Sequence, residues 1–272
     1  MDLCEAVAGI PVMNTITDRE EAVPVALPML RRYMRAVIGD QLVGDRLASA
    51  LWSQMPPDAR QPGDPARLFG AATRAWRRAR TQAPARSFSR RSLTDSVPAG
   101  LTVPRQAGLL IDVFGLSVTE TSVVLDRSEG EVTRLLAATR RERREPLEIG
   151  VLVVEDNPLI AEHLARIAIA QGARVRTAPD HARALQAARH DPPQVAICDY
   201  DLGDGPNGVE VVRALTSEHD CVCLFVTAYP EEVLQGADDE PAFVLSKPFA
   251  EDRVAAALHY AARAERPALL AA

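Results

Sequence analysis

Four short apolar runs in the C-terminal half limit what this chain can fold into more than any other feature. They are Val151–Val154, Val195–Cys198, Val222–Val226 and Ala242–Leu245. Each is followed within two residues by a polar side chain: Glu155 and Asp156, Asp199, Thr227 and Lys247. Runs of four or five apolar residues rich in Val and Ile predict strands buried on both faces, as in a parallel sheet. Open parallel sheets carry their chemistry just beyond the carboxyl ends of the strands. Five polar residues spread over almost a hundred positions are therefore expected on one rim.

Phosphoryl transfer to a carboxylate suits that set. Acidic groups gathered in one pocket repel unless a hard cation sits among them, and Mg2+ takes oxygen ligands while keeping several waters. Asp199 directly follows its strand and is the expected nucleophile. Asp201 is a rival by side chain, but its backbone carbonyl is the better metal contact. The expected ligand set is Glu155, Asp156, Asp199 and that carbonyl. Thr227 and Lys247 would hold phosphoryl oxygens, one by a hydrogen bond and one as a point charge.

The cations support this. Of 31 Lys and Arg, Lys247 is the single lysine. A compact ammonium fits one phosphoryl oxygen where an arginine fork is bulkier and directional. The five histidines, His163, His181, His190, His219 and His259, fall on helix or loop positions without a ligand set and receive no chemistry. Cys198, Cys221 and Cys223 read as buried core thiols in a reducing cytoplasm, and no CxxC pair is present.

Length allows two domains, and charge divides accordingly. Residues 1–146 hold 21 Arg against 17 acids, a balance of +4; residues 147–272 hold 10 basic against 20 acidic residues, a balance of −10. Mutual docking of an acidic and a basic half follows as one expectation, two independently solvated surfaces as the other. No apolar run is long enough for a membrane span and no secretory pattern opens the chain, so a cytoplasmic location is expected.

The first half reads as helices. Residues 1–22 show no period and are expected to be a loose tail. Leu30, Tyr33, Met34, Val37 and Ile38 form one helical stripe, closed by Gly39. Asp40 would cap a second helix with Val43, Leu47, Ala50 and Leu51 inside, stopped at Pro56-Pro57. Asp64-Pro65 opens a third, with Leu68, Phe69, Ala72 and Trp76 inward. A Pro- and Ser-rich stretch over 82–104 reads as a linker. Arg105 to Phe114 is then a helix. Ser117 with Glu120, and Ser128 with Glu131, are two capping boxes a turn apart, a helix-turn-helix outline, with Val132, Leu135, Leu136 and Thr139 inside the last helix.

Residues 149–265 resemble a two-component receiver domain, an α/β flavodoxin-like (βα)5 fold. The matching segments are Val153-Val-Glu-Asp-Asn157, Cys198-Asp-Tyr-Asp-Leu202, Val226-Thr-Ala-Tyr229 and Ser246-Lys-Pro-Phe249. The resemblance implies a cis peptide at Lys247-Pro248. Receivers of this kind often carry an aromatic switch three residues before the lysine. Here that residue is Val244, and the resemblance passes the switch to Tyr229. Leu27-Pro-Met-Leu-Arg-Arg-Tyr-Met-Arg35 and Phe114-Gly-Leu-Ser-Val-Thr-Glu120 resemble the two helical regions of an extracytoplasmic-function sigma factor, over 23–81 and 105–146. An all-α sigma-like half before a receiver is similar to the PhyR-type general stress response regulators of alphaproteobacteria.

That resemblance implies a non-enzymatic phosphoacceptor, served by a sensor histidine kinase or phosphotransfer protein. It implies a sigma-like half, covered by the receiver at rest, that on phosphorylation sequesters a NepR-type anti-sigma factor. The alternative is a response regulator that binds promoter DNA through its helix-turn-helix. A recognition helix reads bases with its first residues. Here these include Glu129 and Glu131, which phosphates would repel, so DNA binding is not expected. A degenerate receiver with a constitutive assembly is a third option, opposed by the intact acidic trio.

Overall fold

The computed structural model describes residues 26–39, 41–60, 63–82, 102–219, 221–233 and 241–263. The expected tail, the Asp40 cap, most of the linker and Cys4 lie outside them. The first half is helical throughout: α1 (Ala26–Ile38), α2 (Gln41–Gln54), a 3-10 turn (Pro57–Arg60), α3 (Pro65–Gln82), α4 (Val103–Gly108), a π-helical turn (Leu109–Val113), α5 (Val118–Leu125) and α6 (Glu129–Glu142).

Local signals explain most of these boundaries. The five stripe residues of α1 are all buried, and Gly39 takes a positive φ just past its end. Asp64 accepts a hydrogen bond from the Arg67 amide and so caps α3. Both capping boxes form, Ser117 with Glu120 and Ser128 with Glu131. Asp126 closes α5 in the left-handed region, at φ 54. Two expectations need correction. On α2, Ala48 rather than Ala50 turns fully inward beside Leu47 and Leu51. The helix expected from Arg105 to Phe114 is α-helical from Val103, inside the expected linker, and changes to π geometry at Leu109.

Aromatic packing joins the helices into one body. Tyr33 stacks on Phe69 at 4.5 Å between centroids, and Phe114 meets both edge-on at 5.6 and 5.5 Å. The two helical regions thus share a core, with offset and edge-to-face contacts that the ring quadrupoles favour. Arg35 is fully buried in α1 and makes a two-pronged bond to Asp45 of α2, 2.6 Å at each prong. A buried guanidinium needs such a partner. Gly44 lets the helices close up there, since a Cβ would lie 2.7 Å from the Arg35 backbone.

The second half is a five-stranded parallel sheet: β1 (Gly150–Val154), β2 (Arg174–Ala178), β3 (Val195–Cys198), β4 (Val222–Thr227) and β5 (Phe243–Ser246), in the order β2-β1-β3-β4-β5. Between and after them run α7 (Pro158–Ala170), α8 (His181–His190), α9 (Gly208–Glu218), the single turn α10 (Pro230–Val233) and α11 (Glu251–Ala262). The four apolar runs are β1, β3, β4 and β5. The fifth strand, β2, escapes an apolar-run search because it is an edge strand carrying Arg174 and Arg176. The peptide Lys247-Pro248 is cis. Among the described residues, no helix is long and apolar enough to cross a membrane.

The two halves are docked through β5 and α11. Arg32 of α1 donates to the Val244 carbonyl of β5 at 3.1 Å. Arg105 of α4 donates to the Tyr260 carbonyl at 3.0 Å and lies over the Tyr260 ring. From the other side, Arg253 of α11 donates to the Val113 carbonyl at 2.7 Å. Receiver acids act on helical-half arginines at one point, where Asp252 of α11 faces Arg140. The arginines of the seam mostly serve backbone carbonyls, and the ion pair Arg263–Glu145, at 3.2 Å, runs in the opposite sense. The Arg cluster late in α6 is also not simply solvated: Arg140 and Arg143 pair with the buried Asp112 at 2.8 and 3.0 Å.

Tyr260 is the best-fitted piece of the seam, since a Cβ on Gly108 would fall 1.8 Å from its hydroxyl oxygen. Gly108→Ala is therefore expected to push the halves apart while leaving the sheet intact. Hydrogen exchange should show α11 and α4 losing protection, with β1 and β3 unchanged.

Candidate functional site

Each site side chain sits where a strand ends. β1 stops at Val154, and Glu155 and Asp156 follow before Asn157 caps α7 through the Leu159 and Ile160 amides. β3 stops at Cys198 and delivers Asp199; β4 ends on Thr227; β5 ends at Ser246 and delivers Lys247. The parallel register aligns Val154 with Cys198, Cys198 with Phe225 and Thr227 with Ser246, so the strand ends form one rim.

Lys247 Nζ donates to Glu155 Oε2 at 2.8 Å and to Asp199 Oδ2 at 2.6 Å. Oxygens of Glu155, Asp156 and Asp199 all lie within 4.8 Å of one another. Glu155 and Asp199 are buried and Asp156 is exposed, so the trio opens to solvent on one side. Burial raises the Glu155 carboxyl above its ordinary range, the nearby Asp199 charge adds to this, and Lys247 only partly offsets it. Burial works to lower Lys247, but its bonds to Asp199 and Glu155 outweigh that and raise it. The ammonium is held charged.

Backbone amides complete the pocket. The Tyr200 amide donates to Asp199 Oδ1 at 2.6 Å and the Asn157 amide to Glu155 Oε1 at 3.4 Å. Neither is legible in sequence, because any residue type supplies an amide. The Lys247 amide donates to the Thr227 carbonyl at 2.7 Å, tying the ends of β4 and β5. The buried Thr227 hydroxyl accepts from the Tyr229 amide at 3.1 Å, within its own loop. Tyr229 itself is 46% exposed and meets Tyr200 edge-on at 6.4 Å. The Asp201 carboxylate accepts from the Gly203 amide at 3.1 Å, so it braces the loop and is turned to a different task from Asp199.

Three carboxylates against one ammonium leave an excess of negative charge that suits a hard divalent cation. Opposite ligands on an Mg2+ lie about 4.2 Å apart, close to the span of this trio. The donor set is therefore all oxygen and of the right size. Chemically, the arrangement offers a carboxylate, Asp199, next to a fixed positive charge and a cation-binding edge.

Residues 151–259 match the response regulator receiver domain. The chain is a response regulator by that domain. Over 253 residues it is 31% identical to the phyllosphere-induced regulator PhyR of Methylorubrum extorquens, which spans 86% of this chain and 91% of that protein. The solved structure of PhyR from Brucella abortus is 27% identical and superposes with a TM-score of 0.69, covering 89% of this chain and 92% of that one. The anti-anti-sigma factor PhyR from Bartonella quintana is 27% identical with a TM-score of 0.67, covering 87% and 92%. The chain belongs to the PhyR family of response regulators.

Gly208 opens α9 directly under the loop after β3, and a Cβ there would sit 1.9 Å from the Asp199 carbonyl oxygen. Gly208→Ala should therefore displace the Asp199 loop and lower receiver stability by roughly 2–4 kcal/mol, read by urea denaturation.

Proposed function

We propose that this protein takes a phosphoryl group on Asp199 from a histidine kinase or phosphotransfer protein. Its helical half then sequesters a NepR-type anti-sigma factor and so releases a stress sigma factor. The observation that carries the reading is the pairing of Asp199 with Lys247 at the end of β5, the strand whose Val244 carbonyl also holds the helical half through Arg32. Membership of the PhyR family supports it, as does the anti-anti-sigma role of the Bartonella relative. In this reading residues 23–81 and 105–146 are the sigma-like regions, 82–104 their linker and 149–265 the receiver.

Asp199 supplies the attacking carboxylate oxygen, with the Tyr200 amide holding the other oxygen in place. Glu155, Asp156, Asp199 and the Asp201 carbonyl would hold Mg2+, which when bound supplies neutralisation of the carboxylates and phosphoryl oxygens. Lys247 must loosen from Asp199 Oδ2 as that oxygen is phosphorylated, and its ammonium then serves a phosphoryl oxygen. The Thr227 hydroxyl, now accepting from the Tyr229 amide, turns to donate to the same group and draws the Tyr229 loop with it. Pro230, on that loop, lines a cavity of about 210 Å³ at the seam, together with Phe114, Val244 and Arg253. The loop movement thus reaches the seam directly.

Inverting a closed-to-open ratio from 99:1 to 1:99 takes about 5.5 kcal/mol of differential stabilisation. Loss of the Lys247–Asp199 contact, gain of phosphoryl contacts and the partner's preference for the open form all contribute in one direction. Direct DNA binding is the weaker reading. Glu129 is exposed and Glu131 half-buried at the start of α6, engaged with Thr119 and Ser128, and they present carboxylates where phosphates would lie.

The test is capture of a purified NepR-type protein by wild type and Asp199→Ala, each with and without a small phosphodonor and Mg2+. Wild type should show at least about tenfold tighter capture with donor, corresponding to 1.4 kcal/mol. Asp199→Ala should incorporate no phosphate and stay at the baseline; equal capture by both proteins with donor would sink the scheme.

A further inference from the structure

The seam contains one titratable group that the phosphoryl chemistry does not use. His259 lies on α11, is only 3% exposed, and has no hydrogen-bond partner for Nδ1. Its neighbour Tyr260, perpendicular to it at 6.2 Å, is the residue that Arg105 and Gly108 grip from the helical half.

The surroundings of the imidazole are cationic. The charges of Arg105 on α4, Arg143 just past α6 and Arg263 just past α11 all act on it, and the Arg263 amide donates to the His259 carbonyl at 3.2 Å. The acids within reach are engaged: Asp112 of the π-helical turn with Arg140 and Arg143, and Glu145 with Arg263. Asp252, two turns earlier on α11, acts on Arg140. On the side of α7, His163 is paired with Glu251 at the opposite end of α11. An imidazolium at position 259 would thus be buried, unbonded at Nδ1 and set among three guanidiniums, without a free carboxylate.

From this geometry we infer that the seam is a proton-sensitive latch, in which acid protonates His259 and undocks the helical half without phosphoryl transfer. It rests on the reading above only in taking the docked form as the resting state. Burial, followed by Arg263, Arg143 and Arg105, pushes the docked imidazole down to about 3 from its ordinary 6.5. Protons therefore bind the undocked form better. The docked form has its full advantage above pH 6.5 and loses it progressively as pH falls from there toward 3. Arg263 stays beside His259 on undocking, so between pH 8 and pH 5 the undocked-to-docked ratio should rise by up to about 30-fold.

The test is hydrogen exchange on the full chain at pH 8 and pH 5, corrected for intrinsic rates, without phosphodonor or partner. Wild type and Asp199→Ala should both show several-fold, up to about 30-fold, faster opening at α4 and α11 in acid, with β1 and β3 still protected. His259→Gln should show no such change. A flat wild type, an equal response in His259→Gln, or equal loss of protection in the sheet would each overturn the latch. None of these outcomes bears on capture by phosphorylated Asp199. If His259→Gln fails to fold, titrating the His259 ring by NMR in wild type decides the matter. An apparent pKa well below 6.5 is expected, and an ordinary value overturns the inference.

Discussion

The rest of the molecule depends on how strand β5 is shared. At its end, Lys247 binds Asp199 and Glu155; three residues earlier, the Val244 carbonyl accepts Arg32 from α1. The same strand is tied to β4 by the bond from the Lys247 amide to Thr227. A change of charge at Asp199 therefore acts on a strand that already touches the helical half. No long chain of intermediates is required, because pocket and seam lie less than one short strand apart.

The pocket is costly to build. Lys247, Glu155 and Asp199 are largely withdrawn from water, and a buried ion pair gains little stability after desolvation. The raised Glu155 carboxyl shows that the cost is not fully met by the ammonium. The excess of negative charge at the open, Asp156 side is the edge that suits a hard cation.

The seam follows a different rule from the one charge balance suggests. An acidic half beside a basic half invites direct ion pairing, yet Arg32, Arg105 and Arg253 bond mainly to carbonyls. Carbonyls near the ends of helices and strands have lone pairs unsatisfied by their own element, and guanidiniums reach them without burying a second charge. This leaves a seam that is specific in shape, through Tyr260 against Gly108.

Much of the fold was legible because its signals are local. The capping boxes at Ser117 and Ser128, the stripe from Leu30 to Ile38 and the four apolar runs each encode an element through neighbours in sequence. The polar residues closing the runs announced the pocket, since a parallel sheet has only one carboxyl edge. Less local features were hidden. Strand β2, with Arg174 and Arg176, is a strand only because β1 offers it an edge. The π-helical turn at Leu109, the buried Arg35–Asp45 pair and the amide of Tyr200 on Asp199 each depend on what lies across from them. The amino-acid order alone thus determined the elements, their caps and the chemistry at the strand ends, because these depend on backbone preference and spacing. Only the tertiary structure decided which helix face meets α11, which arginine serves which carbonyl and why His259 Nδ1 is left without a hydrogen bond, because those outcomes depend on distances between residues that sequence spacing does not set.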